Sequence, residues 1–209
     1  MKITKYMTGP LQVNTYFAYD EETKKGFIVD PGGYDSRLTD EVKSLEVDVE
    51  YIILTHGHGD HIGGVEQFKL DFPNAKVVAH EAEREMLQNA QINSSMEIFM
   101  RPITIEADKY VRDKESLKVG NMELTFIFTP GHTKGGCCYY EEKEGVLISG
   151  DTLFQASVGR SDFPTGSMST LVKSIKERLF VLPDDVMVYP GHNNLTCIAD
   201  EKKYNPFVK

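Results

Sequence analysis

The chain has 209 residues, 40% of them hydrophobic and 26% charged, with a net charge of −9 and a pI near 5.2. That is enough chain for one compact domain with a sizeable core, and the balance is that of a globular protein rather than a disordered or fibrous one. An acidic chain without a cluster of Lys and Arg lacks the positive face that a phosphate backbone requires, so nucleic acid is not an expected partner.

Met1–Tyr6 enters a strand-like pattern at once, without the apolar run of a signal peptide. Val13–Tyr19 is rich in the β-branched and aromatic residues that strands prefer. A polar turn at Glu21–Lys25 leads into a short buried strand, Gly26–Asp30, which Pro31-Gly32-Gly33 stops. Ser36–Leu45 places Leu38, Val42 and Leu45 on one helical face. The strand Val49–Thr55 then runs straight into His56-Gly57-His58-Gly59-Asp60-His61, followed by a helix over Ile62–Phe72 and a strand at Lys76–Ala79. Gln88–Glu106 shows neither period and reads as loop or short helix. Further strands are predicted at Tyr110–Val111, Ser116–Val119, Met122–Thr129, Gly136–Glu141, Gly145–Ser149 and Val186–Tyr189. Ser167 is a suitable N-cap for a helix that carries Leu171, Ile175 and Leu179 on one side.

No fixed-period repeat or long linker divides the chain, which reads as a single domain over 1–209. No run of 18 apolar residues offers a membrane span. The three cysteines, Cys137, Cys138 and Cys197, are odd in number and lack C-x-x-C spacing. That usage argues against a disulfide framework and for a reducing cytoplasm.

Five of the six histidines follow a predicted strand through a tight turn. His56, His58 and His61 follow the strand Val49–Thr55; His132 and His192 each follow a Pro-Gly step. Asp151 follows Ser149-Gly150 in the same manner. Strand ends are where ligand sites assemble in α/β sheets, so four strands deliver metal-ligand side chains to one kind of place. In the H-x-H-x-D-H turn, His56 and His58 can aim at one metal and Asp60 and His61 at a neighbour, with Gly57 and Gly59 easing the bend. Imidazole and carboxylate donors suit zinc first, with iron or manganese as alternatives. His80, in Val78-Ala79-His80-Glu81, lacks that context and is given no metal role.

Five ordered segments carry a resemblance to the metallo-β-lactamase superfamily: Val29-Asp30-Pro31-Gly32, Thr55–Gly64, Thr129-Pro130-Gly131-His132-Thr133, Ser149-Gly150-Asp151-Thr152 and Pro190-Gly191-His192. The resemblance implies an α/β fold, a four-layer αββα sandwich with the metal site at one edge of the sheets. It implies that His56, His58 and His132 hold one divalent ion, that Asp60, His61 and His192 hold a second, and that Asp151 bridges them. Asp60 would also orient the attacking water or take its proton. Asp30 would orient a ligand from behind, or else be a plain strand-end carboxylate.

Within the superfamily, Val158-Gly159-Arg160-Ser161-Asp162-Phe163-Pro164 and the tail Asn205-Pro206-Phe207 resemble short members of the glyoxalase II (hydroxyacylglutathione hydrolase)-like group. The implied reaction is hydrolysis of a small thioester such as S-hydroxyacylglutathione at a two-metal centre, on a small-molecule substrate and away from membranes. Arg160 and Asp162 are substrate candidates, with an internal ion pair the favoured role. Lys134 is either an anion-attracting residue or, by preference, a solvated turn residue. Two features depart from full-length glyoxalase II: Lys134 replaces the Pro that commonly follows Thr133, and no glutathione-gripping helical domain is visible before Lys209. The alternative activity is a persulfide dioxygenase of the same fold, using one Fe(II) on His56, His132 and Asp151.

Overall fold

The computed structural model describes residues 1–209. Strands with side chains alternating between two faces build two six-stranded sheets. The first contains β1 (Lys2–Thr8), β2 (Val13–Tyr19), β3 (Lys25–Val29), β4 (Asp48–Ile53), β5 (Lys76–His80) and β6 (Lys109–Val111), in chain order. It is antiparallel from β1 to β3 and parallel from β3 to β6. The second half of the chain supplies β7 (Ser116–Val119), β8 (Met122–Phe128), β9 (Cys137–Glu141) and β10 (Val146–Gly150). A two-strand hairpin follows, β11 (Leu153–Phe154) with β12 (Ser157–Val158), and then β13 (Met187–Pro190) and β14 (Thr196–Cys197). The second sheet has the order β14-β13-β10-β9-β8-β7, with β10 and β13 as its parallel pair. The helices are α1 (Ser36–Ser44), α2 (Gly59–Ile62), α3 (Val65–Asp71), α4 (Arg84–Leu87), α5 (Ser95–Phe99), α6 (Met168–Ser174) and α7 (Ile198–Tyr204).

Three apolar cores define the layers. Tyr16 and Ala18 of β2 face a core between the sheets, which Phe126 of β8 and Tyr139 of β9 close from the other side. Phe17 and Tyr19 face the opposite way, onto a core covered by Leu38 and Val42 of α1 and Phe68 of α3. The outer face of the second sheet packs Cys138 and Leu147 against Leu171 of α6 and Ile198 of α7. Helix, sheet, sheet and helix therefore stack as the expected four-layer sandwich. Each large side chain buried fully in these cores stabilises the fold by ~1.5–3 kcal/mol. The adjacent Cys137 and Cys138 belong to different cores, and all three cysteines are free thiols.

Local signals set most boundaries. The Asp35 carboxylate accepts from Arg37 N at the start of α1, and Ser167 Oγ accepts from Thr170 N at the start of α6. The stretch 88–106 begins just after α4 and contains the short helix α5, a single turn bounded by left-handed Ser94 and Met100. Where one helix is predicted over Ile62–Phe72, the chain forms α2 and α3 with a break at Gly63-Gly64. Those glycines pass against the Phe99 ring and the Gly33 backbone, where a Cβ would clash. The hairpin β11–β12, the strand β14 and α7 were not predicted. Two-residue strands have no period to detect, and α7 buries one apolar residue, Ile198, beside a carboxylate, Glu201. No helix is long and apolar enough to cross a membrane.

Phe126 is fully buried in the central core, edge-on to Tyr139 at 4.9 Å between ring centroids. Phe126→Ala is expected to lower the stability by about 3–5 kcal/mol. Urea unfolding should show a lower midpoint with an unchanged slope; a loss below about 1 kcal/mol would contradict this packing.

Candidate metal centre

The chain leaves β4 and turns directly into α2. His58 is the last extended residue before the helix, and Asp60 and His61 lie in its first turn. This turn separates the donors of the tight cluster into two directions. Loops after β8, β10 and β13 bring His132, Asp151 and His192 to the same edge of the sandwich.

His132 Nε2 lies 3.2 Å from His56 Nε2 and 2.9 Å from His58 Nδ1. A tetrahedral zinc with bonds near 2.05 Å sets its nitrogens about 3.3 Å apart, so the three ring nitrogens have the spacing of shared ligation. Asp60, His61 and His192 form a second compact group. His192 Nε2 lies 3.4 Å from Asp60 Oδ2, and His61 Nε2 lies 3.8 Å from it. Asp151 faces both groups: Oδ2 is 3.6 Å from His132 Nε2 and 3.7 Å from His192 Nε2, and Oδ1 is 3.4 Å from His61 Nε2. Six of these seven side chains are at least nine-tenths shielded from solvent or close to it; His192 is the more open member at 23% exposure.

The donors also fit a cation electrostatically. His61 Nε2 and Asp151 Oδ1 are buried without a hydrogen-bond partner. Orphaned buried polar atoms are costly, and a metal ion is a partner that satisfies nitrogen and oxygen together. Burial holds His56 and His132 below the ordinary histidine range and takes His58 down to about 3. Asp60 and Asp151 are held low: burial opposes this, but the surrounding histidines, His61 foremost, outweigh it. For His61, burial favours the neutral ring, yet the carboxylates of Asp151, Asp60 and Asp30 outweigh it and demand positive charge. Neutral imidazoles and ionised carboxylates are the states that ligate.

Outer hydrogen bonds orient the rings. Asp30 Oδ1 accepts from Thr55 N at 2.7 Å, while Oδ2 accepts from Thr55 Oγ1 at 2.6 Å and pairs with His61 Nδ1 at 3.0 Å. Asp30 therefore has its acceptors committed to Thr55 and His61, the arrangement of a residue that orients a ligand ring from behind, although its carboxylate also groups with the ring nitrogens of His56 and His61. His132 Nδ1 donates to the Arg160 carbonyl at 2.5 Å, which turns Nε2 toward the other donors. Gly150 allows β10 to meet Thr55: its φ is +48°, and a Cβ would lie 2.2 Å from Thr55 Oγ1. The predicted bend at Gly57 and Gly59 takes another form. Neither has a positive φ; a Cβ on Gly59 would instead press on the Ser95 backbone at 2.7 Å.

Three residues that sequence reasoning missed hold the loops. Glu83, buried, accepts from Gly57 N at 2.8 Å, Thr133 Oγ1 at 2.6 Å and Gly135 N at 2.7 Å, joining the His56–His58 turn to the His132 turn. Asn14 Nδ2 donates to the carbonyls of Pro190 and Asn193, both at 2.9 Å, and Tyr16 Oη donates to Pro190 O at 2.7 Å. These bonds fix the His192 loop on the first sheet. Asn14 and Tyr16 had only the polar positions of a strand as a signal, and Glu83 was one acid among several.

A cleft of about 550 Å³ opens on the donors. Its lining includes Leu11, Ile98, Phe154, Phe163, Arg160 and Asn193 beside the metal-ligand side chains. Arg160 pairs with Asp162 at 2.8 and 3.0 Å, as favoured from the sequence, and its guanidinium lies over the Phe163 ring at 4.4 Å. Lys134 is outside the lining, 64% exposed and 3.8 Å from Glu85. His80 is also outside it, stacked on Phe128.

The family model of the metallo-beta-lactamase superfamily matches residues 8–192. The chain belongs to the metallo-β-lactamase superfamily. Members of this metallo-hydrolase superfamily bind divalent metals. Among relatives, the chain is 35% identical to the protein named "Probable metallo-hydrolase YqgX" of Bacillus subtilis, covering 100% of this chain and 98% of that one. It is 33% identical to the hydroxyacylglutathione hydrolase GloC of Haemophilus influenzae, covering 94% and 93%. Among solved structures it superposes on BLEG-1, a B3 metallo-beta-lactamase, with a TM-score of 0.92 and 37% identity over 99% of both chains. ETHE1 from Myxococcus xanthus gives a TM-score of 0.81 at 28% identity, covering 99% of this chain and 84% of that one.

For this metallo-β-lactamase-fold chain, Glu83→Gln tests the support of the donors. An amide places N–H groups against one of the backbone or hydroxyl donors that Glu83 now accepts. The expected result is a divalent-metal affinity reduced about 10- to 100-fold in chelator competition. An unchanged affinity would show that the two turns hold their positions without Glu83.

Proposed function

We propose that the protein is a binuclear metallo-hydrolase that cleaves a small cytoplasmic thioester, S-hydroxyacylglutathione or a close analogue. Zinc is the first candidate metal, with iron or manganese as alternatives. The observation that carries this reading is Asp151, whose two oxygens face the histidines of both donor groups. The relative named hydroxyacylglutathione hydrolase, similar along almost its whole length, supports the substrate class. Arg160 is the one Lys or Arg side chain lining the cleft, and an anionic thiol carrier would have to share it with Asp162.

Two divalent cations held by these donors would acidify a bound water and polarise the thioester carbonyl. Asp60, ionised and buried beside His192, is placed to orient the attacking water and take its proton. The water oxygen forms the new C–O bond as the C–S bond breaks. The departing thiolate is stable enough, with a thiol pKa near ~8.5, to leave without a general acid. Phe163 lies edge-on to His58 and His132, and Phe154 edge-on to His192, so aromatic walls limit water at the reacting carbonyl.

The second reading, a persulfide dioxygenase with one Fe(II) on His56, His132 and Asp151, draws support from the likeness to ETHE1. It leaves Asp60, His61 and His192 without a task, although they too form a compact group of donors. The metal-loaded protein is expected to hydrolyse S-lactoylglutathione, to leave the β-lactam nitrocefin largely intact, and to consume no oxygen with glutathione persulfide. Asp151→Ala is expected to lower the thioesterase rate at least 10³-fold. Oxygen uptake without thioester hydrolysis would instead establish the dioxygenase, and rapid nitrocefin cleavage would point to β-lactams.

A further inference from the structure

Ten non-glycine residues adopt a left-handed backbone, and Asn193, with φ 67°, is the one that directly follows a metal-ligand candidate. Asparagine tolerates this region because its short polar side chain usually bonds to nearby backbone. Asp30 shows such compensation, with both carboxylate oxygens engaged. Asn193 does not. Its carbonyl is held by Asn14 Nδ2 at 2.9 Å, while its carboxamide makes no hydrogen bond within the protein, and the residue is part of the cleft lining. Asn193 is exposed at the wall of the cleft with its polar group uncommitted, which makes it a candidate for substrate contact.

Its position narrows what it would contact. The preceding His192 Nε2 is 3.4 Å from Asp60 and 3.7 Å from Asp151, so Asn193 stands one residue from the groups around the reacting carbonyl. The same cleft lining includes the apolar side chains of Phe154 and Leu11. A carboxamide offers both a donor and an acceptor, which matches a hydroxyl in either direction.

We infer that Asn193 is a specificity-determining residue that recognises a hydroxyl next to the scissile carbonyl and so favours α-hydroxyacyl thioesters over plain acyl ones. This rests on the thioesterase reading above. The test compares kcat/KM for S-lactoylglutathione and S-propionylglutathione, which share a carbon skeleton and differ by that hydroxyl, using metal-loaded protein. Asn193→Gly removes the carboxamide and suits the left-handed backbone, so the fold should be retained. Lys114→Gly, also left-handed but outside the cleft lining, controls for the backbone change.

One neutral hydrogen bond at an open site is worth a few-fold, so the lactoyl-to-propionyl ratio is expected to fall about threefold to tenfold in Asn193→Gly. The fall should come from the lactoyl substrate, with the propionyl rate and the Lys114→Gly ratio unchanged. An unchanged ratio in Asn193→Gly, whether both rates hold or fall together, overturns the inference and leaves the thioesterase reading standing. Wild-type protein that cleaves neither thioester overturns that reading and this inference together.

Discussion

The site depends on one electrostatic constraint: buried charge must find a partner. Asp151 is held ionised among His61, His132 and His192, and one of its oxygens meets no protein donor. An isolated carboxylate in such a place costs several kcal/mol at least. Three carboxylates, Asp30, Asp60 and Asp151, also press positive charge on His61. Divalent cations between the donor groups resolve both demands, and burial already favours the neutral rings of His56, His58 and His132.

That convergence requires the two sheets to meet closely at one edge. Asn14 and Tyr16 of β2 reach across to the loop after β13, and Cys137 N of β9 donates to Thr55 O at 2.9 Å. Glu83 ties the turn after β4 to the turn after β8. Each bond contributes only about 1 kcal/mol net, but leaving such buried groups unpaired costs more. The hydrogen bonds thus specify the positions of loops whose layers are held together by apolar packing. The cleft is set in the same manner: Glu201 accepts from Ala156 N and Thr196 Oγ1, while Asn205 donates to Ser157 O, fixing the hairpin that carries Phe154 and Val158.

Much of this was legible in the chain because the donors are clustered by local turns. H-x-H-x-D-H is short enough for its geometry to be anticipated, and the Pro-Gly steps before His132 and His192 mark strand ends. The role of Asp30 was left open between an orienting residue and a turn carboxylate, since only the fold brings it 3.0 Å from His61, 31 positions away. Glu83 was invisible for the same reason, 50 residues from Thr133 and indistinguishable from its acidic neighbours. The helix predicted over Ile62–Phe72 breaks at Gly63-Gly64, a pair weak in helix propensity whose close approach to Phe99 and Gly33 only the fold reveals. Short strands such as β14 are stabilised by their partners and carry no periodic signal.

The central claim is that both donor groups hold metal and share Asp151. Elemental analysis of protein purified without chelator or added metal, paired with quantitative amino-acid analysis, tests it most directly. Close to two divalent ions per chain is the predicted result, falling together in Asp151→Ala. A wild-type value that stays near one ion per chain under saturating zinc, iron or manganese would contradict the binuclear account.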